Sequence, residues 1–327
     1  MSLACTLYEA RGTDPYENLA AEEYLLGCLQ PGERMLYLWQ NARTVVVGRN
    51  QNCWKECRVH ALEADGGRLA RRLSGGGAVY HDLDNLNYTF LAPAADFDIA
   101  RQTEVILRAV QRLGVPAVCS GRNDLTAGGR KFSGNAYYRT KAGCYQHGTL
   151  LLRADGACMT KYLSVSPAKL QARGVDSVRA RVCGLTEFVP GLTPAALAQA
   201  LRAAFAESCG VPAQPLAAAR LDAAALAALR EKYASPAWRY GESRHFSCEA
   251  ERRFAWGSLQ LQLDVAAGRI AAASVYTDAL DTEFAGQLRA ALTGTAFMPA
   301  AVGAALDRLP AADGMRDGAR ALLLEIL

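Results

Sequence analysis

Residues 71–82, with the sequence RRLSGGGAVYHD, constrain the fold more than any other stretch of the chain. Glycines lack a side chain, so their backbone can adopt positive φ and bring amides close to an anion. A bare run of glycines is also typical of a flexible hairpin turn, and neither the P-loop nor the Rossmann pattern follows it. If the preceding segment is extended, Arg72 and Ser74 share one face and Arg71 points away. The stretch therefore predicts a strand that leads into a loop able to hold a charged group.

The spacing of apolar residues predicts both helices and strands along the chain. Helices are expected at 16–29, 52–64, 99–113, 159–163, 167–171, 195–208, 221–233, 283–293 and 299–309. Strands are expected at 35–40, 44–49, 68–74, 79–80, 85–92, 246–254, 258–265 and 269–276, with further strands and turns across 117–152. Gly128 and Gly129 form a predicted hairpin tip, which would place Asp124 and Lys131 across a short hairpin from each other.

A segment rich in proline and aromatic residues, SPAWRYG at 235–241, marks a domain boundary. With 327 residues the chain is long enough for one large and one small domain, each with its own core. We expect a catalytic domain at 1–240, an accessory domain at 246–327 and a linker at about 235–245. Three strands followed by two helices in the smaller part are typical of an α+β domain.

Composition and charge narrow the function classes. The 36 basic and 32 acidic residues leave a net charge of +4 without a block of like charge, so no nucleic-acid partner is expected. No apolar run approaches the length of a membrane span, and residues 1–16 do not look like a targeting signal. The ten cysteines are scattered without a zinc or disulfide spacing. These features predict a cytoplasmic protein with reduced thiols and no membrane partner.

Four later segments accompany the glycine stretch: SGRNDL at 120–125, RKFSGNAY at 130–137, QHGTLLL at 146–152 and GVDSVRARV at 174–182. In this order and spacing they resemble the bacterial lipoate-protein ligase A family, and the resemblance covers nearly the whole chain. It implies an α+β fold in which a large biotin/lipoate-ligase-like catalytic domain of mixed sheets is flanked by helices. It also implies a small C-terminal α+β accessory domain.

The resemblance implies a reaction in two steps. The carboxylate of lipoate attacks the α-phosphate of ATP to give lipoyl-AMP and pyrophosphate. A lysine amine of a carrier protein then displaces AMP to form an amide. Expected carriers are the lipoyl domains of E2 subunits of 2-oxoacid dehydrogenase complexes and the glycine cleavage H protein. ATP, Mg²⁺ and lipoate are the expected small molecules, no tightly bound metal is expected, and the protein is expected to be a monomer.

The resemblance also assigns residues. Lys131 would be catalytic, because a compact ammonium can bridge a phosphate oxygen and a carboxylate that otherwise repel each other. Asp124 would bind Mg²⁺, which usually takes few protein carboxylates. The nucleotide would contact Arg72, Gly77, Ala78, Val79, Tyr80, Asn123, Asp124, Lys131, Ser177 and Arg181, with residues 174–182 as the adenylate-binding loop. Lipoate would contact Leu19, Trp39, Arg72, Ser74, Gly75, Gly76, His81, Lys131 and His147.

The main alternative is an octanoyl or lipoyl transferase of the same fold, which moves an acyl group without ATP and in some branches through a cysteine thioester. Cys119 and Cys144 lie near the relevant segments, but nothing in the sequence indicates an activated thiolate.

A biotin ligase is disfavoured because its Gly-Arg-Gly-Arg-like loop is absent, and a binding protein without activity would not need an intact Lys131. Leu73, Phe132 and Gln146 depart from the family pattern, which leaves the preferred acyl chain open.

Overall fold

The computed structural model describes residues 4–120, 124–164, 182–241 and 246–327. Its strands are β1 (Ala4–Glu9), β2 (Glu33–Trp39), β3 (Thr44–Val47), β4 (Arg68–Arg71), β5 (Val79–His81), β6 (Asn85–Pro93), β7 (Ala117–Ser120), β8 (Asp124–Ala127), β9 (Arg130–Arg139), β10 (Gly143–Leu151), β11 (Gln214–Pro215), β12 (Cys248–Phe254), β13 (Gly257–Ala266) and β14 (Arg269–Thr277). Its helices are α1 (Pro15–Gly27), α2 (Cys53–Glu56), α3 (Val59–Ala64), α4 (Ile99–Arg112), α5 (Gly156–Tyr162), α6 (Pro194–Cys209), α7 (Ala223–Ala234), α8 (Pro236–Tyr240), α9 (Phe284–Leu292), α10 (Pro299–Asp307) and α11 (Asp313–Leu323).

Among the described residues, eight strands that all precede residue 216 form a mixed sheet. Their order in the sheet is β11-β1-β2-β6-β10-β9-β8-β7. β1 runs parallel to β2 and β11, and the other neighbours are antiparallel. Successive residues of a strand face opposite sides, so β2 contributes to two separate cores. Leu36 and Leu38 pack with α4 and α6, whereas Tyr37 and Trp39 pack with α1 and α7. The predicted α+β class is confirmed.

Helix α1 begins where the sequence places a capping residue and a proline. The Asp14 carboxylate accepts a hydrogen bond from the backbone N–H of Tyr16 at 2.8 Å, and Pro15 occupies the first helical position. The buried face of α1 includes Leu19, Leu25 and the carboxylate-bearing Glu22. α1 therefore carries an acidic side chain into the space between it and the large sheet.

A second, three-stranded sheet in the order β4-β3-β5 supports the glycine stretch. The strand predicted at 68–74 ends already at Arg71, because the Arg72 side chain turns back to bind carbonyl groups of the loop that follows. Gly76 adopts a φ of 90°, a conformation that favours glycine. The single helix predicted at 52–64 is wrong. The chain forms α2 and α3 instead, separated by Cys57, which bridges to Leu163 in a strand-like pair.

Residues 246–327 build their own hydrophobic cluster from an antiparallel sheet, β12-β13-β14, and helices α9, α10 and α11. Helix α11 was not predicted. Within the predicted linker, residues Pro236–Tyr240 form α8, whose Trp238 packs edge-on against Tyr233 at 5.7 Å. In the parts of the chain that the structure describes, no helix combines the length and apolar character needed to cross a bilayer.

The glycine stretch also contacts the C-terminal part of the chain. Asn50, in the loop after β3, accepts a hydrogen bond from the Thr277 N–H at 2.9 Å and donates one to the Thr282 carbonyl at 2.8 Å. The segment between these two residues lies against Gly75, where a Cβ atom would be 2.1 Å from the Ala279 carbonyl oxygen. Gly75 is therefore required by close backbone packing.

We predict that Gly75→Ala lowers the free energy of unfolding by about 1–3 kcal/mol, because the added methyl group overlaps backbone atoms that cannot move independently. Denaturant unfolding of both variants measures this. The matched control is Gly77→Ala in the same loop, where an added Cβ meets no atom within 4 Å. Equal destabilisation by both substitutions would contradict the packing role of Gly75.

Candidate active site

A cavity of about 200 Å³ lies between the large sheet and the glycine stretch. Its floor is one face of the sheet, on which Trp39, Asn87 and Thr149 are direct neighbours on β2, β6 and β10. Its other walls come from α1, β3, β5 and residues 72–78 of the glycine stretch, which we call the glycine loop. Of the predicted site residues, the cavity brings together Leu19, Trp39, Arg72, Gly76, Gly77, Ala78, Val79, His81, Lys131 and His147. It also includes residues that were not predicted, namely Val46, Asn87, Gly134, Asn135, Ala136, Gly148 and Thr149.

The remaining predicted residues lie around this cavity or outside the description. Gly75 packs against Ala279, and Tyr80 turns away from the cavity to pack against Tyr162 at 5.5 Å. Ser74 and Asp124 reach it through hydrogen-bonded partners. Asn123, Ser177 and Arg181 fall outside the described residues, as does the predicted loop 174–182 except for Val182.

Arg72 fixes the shape of the glycine loop. Its guanidinium donates hydrogen bonds to the carbonyl oxygens of Gly75 at 2.7 Å and Gly77 at 2.8 Å, to Val46 O at 3.1 Å and to Ser74 Oγ at 3.0 Å. Burial lowers the pKa of Arg72 to about 10, which leaves it charged at neutral pH. The group therefore contributes a positive charge to the cavity wall.

Arg71 is directed elsewhere, as strand alternation predicts. Its guanidinium donates to the carbonyl oxygens of Gly48, Arg49 and Gln51 on one side and of Trp238 and Arg239 on the other. It thereby ties α8 to the small sheet. Only Arg72 of the basic pair lines the cavity.

Lys131 lies at the edge of the cavity on the hairpin formed by β8 and β9. Its Nζ forms an ion pair with Asp124 Oδ1 at 2.7 Å across the hairpin, as the spacing predicts, and both side chains are about half exposed. The register of β8 against β9 slips between Leu125 and Thr126, which marks a β-bulge. Beyond this bulge Ser133 is buried, whereas the Lys131 amine lies over Gly134.

The predicted adenylate-binding loop ends beside this lysine. Val182 pairs with Lys131 in a parallel bridge, and the Cys183 N–H donates to the Lys131 carbonyl at 2.9 Å. The backbone of the catalytic candidate is thus held from both sides, by β8 and by the chain that follows residue 181.

A chain of buried hydrogen bonds joins the cavity to α1. His147 Nδ1 lies 2.8 Å from Glu22 Oε1, and His147 Nε2 lies 2.7 Å from Ser74 Oγ. Glu22 Oε1 also accepts from Thr89 Oγ1 at 2.7 Å, and Thr89 Oγ1 accepts from the Trp39 indole N–H at 3.0 Å. Sequence reasoning missed Glu22, since an acidic residue in a helix usually faces solvent.

His81 lies on β5 at the opposite wall and is only 3% exposed. Burial, together with the nearby Arg72 charge, lowers the pKa of His81 to about 3. The imidazole is therefore neutral at physiological pH. Its ring lies 6.0 Å from that of Trp39 in an edge-on arrangement.

The side chains that could act as metal ligands near the cavity suit magnesium better than zinc. Among the described residues, no group of three or more histidine, cysteine or acidic side chains could enclose a metal ion. Asp124 offers one half-exposed carboxylate beside Lys131. A single carboxylate fits Mg²⁺, which takes most of its remaining ligands from water and nucleotide phosphates.

The two cysteines considered as nucleophiles do not line the cavity. Cys144 is buried, and this burial raises the pKa of its thiol, so a thiolate is disfavoured. Cys119 is exposed on β7 at the far edge of the large sheet. Neither position suits a thioester intermediate with an acyl chain in the cavity.

Two family models match separate parts of the chain. The family model of the lipoyl protein ligase A/B catalytic domain matches residues 14–206, and that of the bacterial lipoate protein ligase C-terminus matches residues 243–327. LipL1 of P. falciparum, solved in complex with lipoate, superposes with a TM-score of 0.86 at 25% identity and covers 98% of this chain and 99% of its own. The similarity to LipL1 therefore extends over both parts of the chain.

Two further structures match the chain over a smaller share. A lipoate-protein ligase A bound with ATP gives a TM-score of 0.63 at 25% identity, over 74% of this chain and 99% of that chain. A bipartite lipoate protein ligase of Thermoplasma acidophilum, described with its E2 lipoyl domain, gives 0.65 at 25% identity, over 76% and 100%.

The neutral state of His81 predicts a pH dependence of stability. The unfolded chain binds a proton at this histidine below its ordinary pKa of 6.5, whereas the folded chain does so only near pH 3. Stability should therefore fall as the pH drops from 6.5 towards 3, with a slope of up to about 1.4 kcal/mol per pH unit from this group. Urea unfolding across this range should show a shallower slope for His81→Phe. The control His60→Phe, at an exposed position, should keep the wild-type slope, and identical slopes for all three proteins would contradict the assignment.

Proposed function

The chain belongs to the lipoyl protein ligase A/B catalytic domain family, and we propose that it attaches lipoate to carrier proteins through a lipoyl-adenylate made from ATP. The observation that carries this proposal is the position of the Lys131 ammonium, which lines the same cavity as Gly77 and Ala78 of the glycine stretch. An acyl-adenylate forms only if two anions meet, so a cation must lie where they react. The ATP-bound and lipoate-bound structures of similar proteins support ATP and lipoate as the substrates.

In the first step, a carboxylate oxygen of lipoate attacks the α-phosphorus of ATP, and the bond from that phosphorus to the pyrophosphate oxygen breaks. Lys131 holds the two anions together and stabilises the charge that develops between them. Its partner Asp124 is half exposed, so Lys131 can exchange this ion pair for the substrate oxygens at small cost. A magnesium ion held by Asp124 would neutralise phosphate charge.

The glycine loop supplies the second part of the anion site. With the Gly75 and Gly77 carbonyls turned towards Arg72, the loop backbone is fixed before a ligand arrives. Preorganised groups of this kind need no rearrangement as charge develops. The buried Arg72 charge adds to the attraction for an anionic adenylate.

The cavity suits the acyl tail. Its walls include the apolar side chains of Leu19, Val46 and Val79 and the ring of Trp39. Removing four to six methylene groups from water would contribute about 3–5 kcal/mol to binding. The tail would thus anchor the carboxylate beside Lys131.

In the second step, the amine of a carrier lysine attacks the acyl carbon, AMP leaves with the electron pair of the broken C–O bond, and the amine loses a proton to form the amide. We propose lipoyl domains of E2 subunits and the glycine cleavage H protein as carriers. The T. acidophilum ligase was described with its E2 lipoyl domain, which supports this class of partner. All ten cysteines are unpaired, which suits a reducing compartment, and we propose the cytoplasm.

An ATP-independent transferase is the competing function. We predict that the protein releases pyrophosphate from ATP and free lipoate in the absence of a carrier, and that Lys131→Ala abolishes this release. The control Lys141→Ala, at an exposed lysine in the turn after β9, should retain the wild-type rate. A wild-type protein that transfers an acyl group from one carrier to another, but releases no pyrophosphate, would establish the transferase instead.

Gly134 offers a second test of the lysine position. A Cβ atom there would lie 2.8 Å from Lys131 Nζ and 2.9 Å from its Cε, so Gly134→Ala should displace the flexible end of the lysine and not the backbone. We expect pyrophosphate release to slow by about 10- to 100-fold with unchanged thermal stability, because a small misplacement of a catalytic group is costly. Gly27→Ala, where the added Cβ meets no atom within 4 Å, is the control. Unchanged release by Gly134→Ala would argue against the observed lysine position.

A further inference from the structure

The hydrogen-bond network behind β5 determines which nitrogen of His81 carries the proton. Asn18 Nδ2 donates to the Gln40 carbonyl at 2.8 Å and to Asn41 Oδ1 at 2.9 Å. Since a carbonyl can only accept, the Asn18 amide orientation is fixed, and Asn41 must present its NH₂ group to His81. Asn41 Nδ2 lies 3.2 Å from His81 Nδ1, which therefore accepts. The proton of the neutral ring is on Nε2.

This Nε2–H group is buried and has no hydrogen-bond partner among the described residues, although His81 lines the cavity. A buried donor without a partner is costly, and native proteins rarely keep one without a reason. The cavity wall at His81 thus contains a neutral donor that no described residue satisfies.

Asn87 offers a second donor from the floor. It is 1% exposed, and its Oδ1 accepts a hydrogen bond from Asn85 Nδ2 at 2.9 Å. Its own Nδ2 has no partner in the described structure, and Asn87 lines the cavity. Trp39 connects the two donors, because it pairs with Asn87 across β2 and β6 and its ring is 6.0 Å from that of His81.

Asn87 lies at the end of the cavity away from Lys131, and the ring of its neighbour Trp39 is 6.0 Å from that of His81. Asn87 pairs with Thr149 on β10, and Thr149 Oγ1 accepts from the Gly134 N–H on β9 at 3.4 Å. Two strand spacings, about 10 Å, thus separate Asn87 from Gly134, over which the lysine amine lies. Three single bonds of an extended chain advance about 3.5 Å, so the seven bonds of an eight-carbon acyl chain advance about 8 Å. A carboxylate held at Lys131 places the end of such a chain beside the two donors.

We propose that His81 and Asn87 select acyl chains with hydrogen-bond acceptors at their far end, and so favour the dithiolane ring of lipoate over the hydrocarbon end of octanoate. This inference rests on the proposed ligase function. The ring sulphurs are weak acceptors that can face the two N–H groups. The octanoyl end has no acceptor and would leave both donors unsatisfied in an apolar enclosure.

The test compares kcat/KM for pyrophosphate release with lipoate and with octanoate in the same enzyme preparation. Asn87→Leu removes one donor at similar volume, and His81→Phe removes the other while keeping a ring. We expect each substitution to lower the lipoate-to-octanoate ratio about tenfold. The change should come from a larger loss of kcat/KM with lipoate than with octanoate. A defect that is only structural would lower both values together and leave the ratio as in wild type.

Gln146→Leu is the matched control. Gln146 is a fully buried amide on β10 with an unpaired Oε1, but its side chain points towards Thr103 on α4 and does not line the cavity. It should leave the ratio unchanged. If Asn87→Leu and His81→Phe both release pyrophosphate with the wild-type ratio, the selectivity proposal is overturned while the ligase function stands. If the wild-type protein releases none with either acid, the proposed function itself has failed.

Discussion

The buried guanidinium of Arg72 is the interaction on which the rest of the site depends. Within the described residues, its hydrogen bonds go to three backbone carbonyls and one hydroxyl, so they constrain the loop without cancelling the positive charge. Desolvating a charge of this kind is expensive unless its donors are satisfied, and here the glycine loop and the Val46 carbonyl accept from them. The loop can do so because Gly76 adopts a positive φ, which turns the backbone around the guanidinium. Loop geometry and cavity charge are therefore consequences of one buried group.

Three parts of the molecule meet at this loop. Ser74 connects it through His147 to Glu22, and thereby to α1 and the floor of the large sheet. Gly75 connects it to the carbonyl of Ala279 in the C-terminal part. Because each contact is either a buried hydrogen bond or close backbone packing, a shift of the loop would break several of them together. The cavity that we assign to the acyl tail, the loop assigned to the nucleotide and the C-terminal part are thus mechanically linked.

Local patterns predicted the elements that depend on local interactions. The helix expected at 99–113 is observed as Ile99–Arg112, and the hairpin tip at Gly128 places Asp124 beside Lys131. The catalytic candidate itself came from family resemblance, since a lysine beside an arginine is ordinarily a surface residue. Glu22 and Asn87 could not be found in this way. Their burial depends on partners that are distant in sequence, as with His147, which lies 125 residues from Glu22. The end of β4 was placed too late because the turn is imposed by the Arg72 side chain and not by a local turn signal.

One end of the cavity requires a positive charge and the other requires neutral groups, and Arg72 contributes to both conditions. Near Lys131 a positive charge is useful, because a carboxylate and a phosphate must approach each other. At the far end a charged imidazolium would be costly beside an apolar tail, and its hydration would compete with the tail for space. After burial itself, the Arg72 charge is the next cause that lowers the pKa of His81 and keeps its ring neutral. A neutral donor can hydrogen-bond to a weak acceptor without the desolvation cost of an ion. The guanidinium that shapes the anion loop thus also keeps the far end of the cavity neutral.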